Sequence, residues 1–325
     1  MRRPRVKVEG EGFYHVVSRI GGKRFLIDGE EKGVLLGMIR AAAAFSGVEL
    51  YTFAIMSNHF HLLVRVPRRR EVPDAELLRR MEALYGTPRF LEVLEKWEKW
   101  TKKHQEDRVE EEKARLRARM FDLSQFCKTF KEAYTQDYNR RHGNTGTIWE
   151  GRFKSILLEG SWRAMMTVAG YIHLNPVRAK MVEKAEEATN AGYGAACQGD
   201  ARAQAGLVSL AKRVYGASGV AWKDARAACA EVVEGALPEA ASAGRGDLGT
   251  RGTIGTDGVA GKGSLRELLR RRVAGFLHGG ALGGERFLKR VAGRLPPRTR
   301  RRPESVLDRC PSLELKSAAG VREAS

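Results

Sequence analysis

Apolar and polar residues alternate through "HFHLLVRV", residues 59–66, and that period of two predicts a strand with two unlike faces. Phe60, Leu62, Val64 and Val66 fill one face, which reads as pure core, while His59, His61, Leu63 and Arg65 share the other. "FYHVVSRI" (Phe13 to Ile20) and "VELYTFAIM" (48–56) are likewise β-rich, and the turn-prone Ser57-Asn58 pair joins the second of them to the histidine strand as a hairpin. Between these two strands "EKGVLLGMIRAAAAFSG" (Glu31 to Gly47) has helical composition and a glycine placed to stop it.

After the hairpin, interleaved Glu and Lys/Arg in "EVLEKWEKWTKKHQEDRVEEEKARLRARM" read as a solvated helix supported by i,i+4 pairs, so residues 71–115 are taken as an insertion. "LSQFCKTFKEAYTQDYNRRHG" then sets Phe126, Phe130, Ala133 and Tyr134 at helical spacing before a basic end and a glycine stop. "FKSILLE" follows as a strand, and "SWRAMMTVAGYIHL" as a helix with Ser161 at its N-cap. The order βαββαβ plus a further helix predicts an α+β fold with an antiparallel sheet of ferredoxin-like type.

Beyond about Glu187 alanine and glycine dominate and aromatic residues thin out. Two helical pieces, "GLVSLAKRVYG" and "WKDARAACAEVVEGAL", make residues 186–238 a small helical extension. Residues 239–263 have too few large apolar side chains to bury and read as a flexible linker. A basic helical pair, "SLRELLRRRVAGFL" and "GERFLKRVAGRL" split by "HGGALG", accounts for 264–295, and 296–325 reads as a disordered basic tail. The C-terminal extension is thus mainly helical and partly disordered.

Charge narrows the partner. Lys+Arg 58 against Asp+Glu 39 gives a net charge of +19, which favours a polyanion, most often nucleic acid, over an anionic membrane surface. The four cysteines, Cys127, Cys197, Cys229 and Cys310, show no CxxC spacing, so neither a zinc ribbon nor a disulfide framework is indicated. No stretch reaches the length of a membrane span, and the chain is expected to be soluble and cytoplasmic, with no membrane partner.

Two imidazoles one residue apart on a strand could share a divalent cation, although an isolated HxH is more often a pair of partly buried histidines with hydrogen-bond partners. A second constellation lies in "YIHLNPVRAKMV", where Tyr171 and Asn175 are i and i+4 and offer a nucleophile beside an oxygen ligand. Packing explains Tyr171 equally well, and Asn175 could cap a new helix begun by Pro176. Tyr134 and Tyr138 are weighed as rival nucleophiles; the first falls on an apolar stripe, and the second stays open as a base-stacking group. His15 and His173 are expected to be structural.

"YHVVSRI", "SNHFHLLVRV", "YNRRHGNTGTIWEGRFKSILLE" and "YIHLNPVRAKMV", in this order, resemble the single-tyrosine HUH transposases, in their REP-associated tyrosine transposase branch. The resemblance runs from about Pro4 to Val182 and makes residues 1–185 the HUH domain, its HUH nuclease core interrupted by the charged insertion. It implies that His59, His61 and Asn175 bind a divalent metal, Mg²⁺ or Mn²⁺, and that Tyr171 is the nucleophile. The implied activity is nicking and strand transfer on single-stranded or hairpin DNA through a 5′-phosphotyrosine. A homodimer, in which Tyr171 could serve the partner's metal, stays open. Arg19, Arg65, Arg140, Arg141, Trp149, Arg152 and Lys154, with Phe153 and His142 in the same basic stretch, are the expected DNA contacts, combining cations with aromatic faces. The alternatives are a non-cleaving, domesticated hairpin-binding protein and a hydrolytic metallonuclease without a covalent intermediate.

Overall fold

The computed structural model describes residues 6–234, 281–283 and 285–291. Strands β1 (Gly12–Arg19), β2 (Glu49–Met56), β3 (His59–Val66) and β4 (Lys154–Leu158) lie in the order β2-β3-β1-β4, each antiparallel to its neighbour. Helix α1 (Gly29–Ser46) links β1 to β2, and α5 (Leu123–His142) leads towards β4, so the βαββαβ order closes into the expected ferredoxin-like sheet. Gly47 ends α1 in the left-handed region at φ 71°, where its N–H donates to the Ala43 carbonyl.

Both faces of the sheet are covered. On the Phe60 face lie α1 and α5, with the Phe60 ring 5.5 Å from Phe130 and 5.7 Å from Trp149. On the histidine face lies α6 (Trp162–His173), started by Ser161, whose hydroxyl accepts from the Ala164 N–H. It runs into the short α7 (Asn175–Arg178).

The alanine-rich segment forms three helices rather than two: α8 (Gly192–Cys197), α9 (Ala201–Tyr215) and α10 (Trp222–Glu234). α9 starts five residues ahead of the expected glycine because Asp200 caps it, accepting from the Arg202 and Ala203 N–H groups. Gly206 is therefore internal, and the reason is steric: a Cβ there would stand 2.7 Å from the Leu50 and Tyr51 carbonyl oxygens, so helix backbone rests directly on β2. Apolar side chains of α8, α9 and α10 join the same continuous core as the sheet.

The charged segment departs from the expected solvated helix. It folds as α2 (Asp74–Tyr85), α3 (Thr87–Thr101) and α4 (Glu106–Ala118), which bury Leu77, Met81, Trp97, Val109 and Leu116 around Phe45 of α1 in a second, separate core. The chain turns back at His104, held at φ 52°. The exposed Lys102–Glu98 pair has the expected i,i+4 spacing.

"HGGALG" was expected only to split two helices, but Ala281–Leu282 forms β5, which adds to the sheet parallel to β4. The Glu159 N–H donates to the Leu282 carbonyl at 2.8 Å, so among the described residues it is β5 that covers the outer edge of β4. Helix α11 (Glu285–Val291) follows. The linker expected over 239–263, the first basic helix, the tail over 296–325 and Cys310 lie outside the described residues. Cys127 and Cys229 are buried and Cys197 is half-buried, and among the described residues no helix is long and apolar enough to cross a membrane.

Candidate active site

Strand register assembles the site. Across β1 and β3, Val17 faces His61 and Arg19 faces His59, so His15, Val17 and Arg19 share a sheet face with the two histidines. Lys154 of β4 faces Val17 from the other side, which places an exposed cation in the same row as His61. Arg19, also exposed, occupies the next row with His59.

Each imidazole is oriented through its Nδ1. Asn58 donates its amide N–H to the Lys23 carbonyl and turns its oxygen to His59 Nδ1 at 2.7 Å, so that nitrogen must be the donor. The lone pair of His59 then sits on Nε2. His61 Nδ1 lies 3.0 Å from His15 Nε2, a pair that shares one proton. Burial holds the His61 pKa well below its ordinary value, with the charges of His15, His59, Arg19 and Arg178 acting the same way, so His61 is neutral at physiological pH.

Tyr171 of α6 closes over these rings. Its centroid is 5.7 Å from His61 and 5.9 Å from His15, edge-on to both, and the Arg178 guanidinium of α7 lies over the ring, 4.9 Å from its centroid. Asn175 does not cap a helix as one expectation had it. Its amide nitrogen donates to the Tyr171 carbonyl at 2.9 Å, so its oxygen is the end that can face a cation.

These residues fit a divalent ion. The His59 Nε2 lone pair and the Asn175 amide oxygen are the donors a divalent ion would take, and His61 Nε2 joins them when its Nδ1–H is given to His15. Among the described residues no cluster of three or more His, Cys, Asp or Glu could hold a metal, so water or substrate oxygens would have to complete the coordination sphere.

The rival tyrosines are on the wrong side. Tyr134 and Tyr138 belong to α5, against the Phe60 face; the Tyr134 hydroxyl donates to Glu31, and the Tyr138 ring stacks on His142 at 4.2 Å. His173 is structural as expected, fully buried with Nε2 2.8 Å from Thr52 Oγ1. His15 is fully buried, in keeping with a structural place, and it touches both His61 and Tyr171. The signal available in the sequence was its period-two relation to Arg19 on a strand bound to pair with the HxH strand.

Several expected DNA contacts have other occupations. Trp149 and Phe153 are core residues, and the Trp149 indole N–H donates to Thr135. Arg65 is held between Glu49 of β2 and Glu11, the residue just ahead of β1. Arg141 and His142 bond Glu31, and Arg140 pairs with Asp137 while remaining exposed. Arg19, Arg152 and Lys154 are the exposed cations beside or leading into the site strands.

Set beside known proteins, the chain matches the family described as transposase IS200 like over residues 11–111. That segment contains β1, the histidine hairpin and most of the charged helices; Tyr171 and Asn175 lie beyond it. A solved structure described as the REP associates tyrosine transposase bound to a REP hairpin is similar at 13% identity and a TM-score of 0.38, covering 60% of this chain and 84% of that one. No curated protein matches.

Proposed function

We propose that the protein is a metal-dependent transposase that nicks and rejoins single-stranded DNA beside a hairpin, with Tyr171 as its nucleophile. The observation carrying this reading is the meeting of the Tyr171 ring with His61 and His15 within one chain. The match of residues 11–111 to the transposase family supports it.

His59, His61 and Asn175 would hold Mg²⁺ or Mn²⁺, which when bound withdraws electron density from the scissile phosphate and the departing 3′ oxygen. Tyr171 Oη attacks phosphorus, the bond from phosphorus to O3′ breaks, the phenolic proton is released and the 3′ oxygen is protonated. The product is a 5′-phosphotyrosine and a free 3′-OH. Because the phosphodiester is exchanged rather than hydrolysed, another strand's 3′-OH can reverse the step. Arg178, seated over the Tyr171 ring, offsets negative charge developing at the phenol oxygen. Asn58 holds His59 in the tautomer this requires, and His15 does the same for His61 when its Nε2 accepts the shared proton. Arg19 and Lys154 supply phosphate contacts on the same sheet face.

The test is a denaturing gel of protein incubated with a labelled, hairpin-flanked single strand and Mn²⁺. An adduct stable to heat and detergent should form with the wild type, vanish with Tyr171→Phe and vanish under chelation, while binding of the strand by Tyr171→Phe stays within about threefold. Undiminished adduct from Tyr171→Phe would remove Tyr171 from the chemistry. Strand binding without adduct by the wild type would favour the non-cleaving hairpin binder, and cleavage without adduct the hydrolytic nuclease.

A further inference from the structure

The segment between β1 and α1 carries "GGKRFLID", and its tip is unlike the rest of the surface. Phe25 is 72% exposed, the most exposed of the large hydrophobic side chains among the described residues, and it follows exposed Lys23 and Arg24. Burial pressure would draw such a ring inward, as it has drawn Ile27 two residues later. The backbone holds it out instead. Gly22 and Lys23 are consecutive left-handed residues at φ 66° and 55°, an unfavourable geometry for lysine that the surroundings sustain.

Those surroundings are the proposed active-site rim. Ile20 N–H donates to the Asn58 carbonyl and Ile27 N–H to the Ser57 carbonyl, so both ends of the segment are pinned to the turn before His59. Gly21 N–H donates to the Ile148 carbonyl, pinning the other side to the segment that leads through Arg152 to β4. The Lys23 carbonyl accepts from the same Asn58 amide whose oxygen receives His59 Nδ1–H. One asparagine therefore ties the tip to the histidine strand.

We propose that Phe25 is a stacking platform for a base of the single strand next to the cleavage point, with Lys23 and Arg24 contacting the adjoining phosphates. An exposed aromatic face beside cations is the combination that a splayed single strand recognises without duplex readout. This assignment rests on the function proposed above and names a positioning residue for its substrate. It also supplies the aromatic surface that Trp149 and Phe153, being buried, do not.

The test reads binding alone, in the Tyr171→Phe background, by fluorescence anisotropy of a hairpin carrying a single-stranded flank. Phe25→Ala should weaken binding at least about fivefold, the lower end for loss of one base on one aromatic ring, while Phe25→Trp keeps or improves it. An abasic site at one flank position should erase the difference between Phe25 and alanine, locating the stacked base. Unchanged thermal melting of Phe25→Ala would confirm that the fold is not the cause. Equal binding by Phe25→Ala and its parent, or a loss that no abasic position erases, overturns the platform while leaving the transposase reading intact. Failure of the parent to bind any single strand overturns both.

Discussion

Glu31 sits beneath the surface where α1 meets the end of α5, accepting hydrogen bonds from Tyr134, Arg141 and His142. Burial alone would raise its pKa, but the bonds from Arg141, His142 and Tyr134 outweigh it and bring the value down to about 2. A carboxylate with a depressed folded-state pKa contributes stability that is complete above its unfolded value and disappears as pH falls through the folded one. The window here runs from the ordinary 4.5 down to about 2. Glu31→Gln should therefore cost roughly 3 kcal/mol at neutral pH in urea unfolding, and the gap to wild type should close across that window. Asn58 carries a different expectation at the same scale. Because it fixes the His59 tautomer, Asn58→Ala should weaken Mn²⁺ binding roughly ten- to hundredfold by isothermal titration. Unchanged Mn²⁺ affinity would separate the Asn58 contact from metal binding.

At the scale of elements, α2, α3 and α4 depend on Phe45 and on their own small core rather than on the sheet. Trp97→Ala, which empties the centre of that core and strips Glu112 of its indole partner, should cost about 3–5 kcal/mol locally. Hydrogen exchange should show α3 and α4 losing protection while β1 and β3 amides keep theirs; simultaneous loss in the sheet would mean one cooperative unit. This second core was not legible in the sequence, because Trp97, Val109 and Leu116 are diluted by charges on two helices that only meet after the reversal at His104. The four main strands were legible, since the period of two survives even around His59 and His61. The docking of α9 on β2 was not, because the decisive residue, Gly206, signals a helix breaker locally and a close approach only in three dimensions. At the site, Tyr171 could be set beside His59 and His61 only through the resemblance of the separate motifs to one family, since each motif alone also reads as packing. The carboxylates that hold Arg65 and Arg141 could not, since Glu11, Glu49 and Glu31 are distant in sequence.

For the whole molecule, a net charge of +19 sets long-range attraction to any polyanion, but only cations that meet phosphates set the salt slope. Arg19 and Lys154 share the sheet face of the histidines, so Arg19→Gln with Lys154→Gln should flatten log affinity against log salt for a single strand by about 1.4. An unaltered slope would place the strand elsewhere. The parallel pairing of β5 with β4 bears on synthesis of the chain. The outer backbone groups of Leu157 and Leu158 gain partners from residues some 120 positions later, which a ribosome adds roughly 6–25 s afterwards. Throughout that interval the nascent protein carries an open β-edge, so nonsense truncations ahead of Ala281 should aggregate more readily than the full polypeptide.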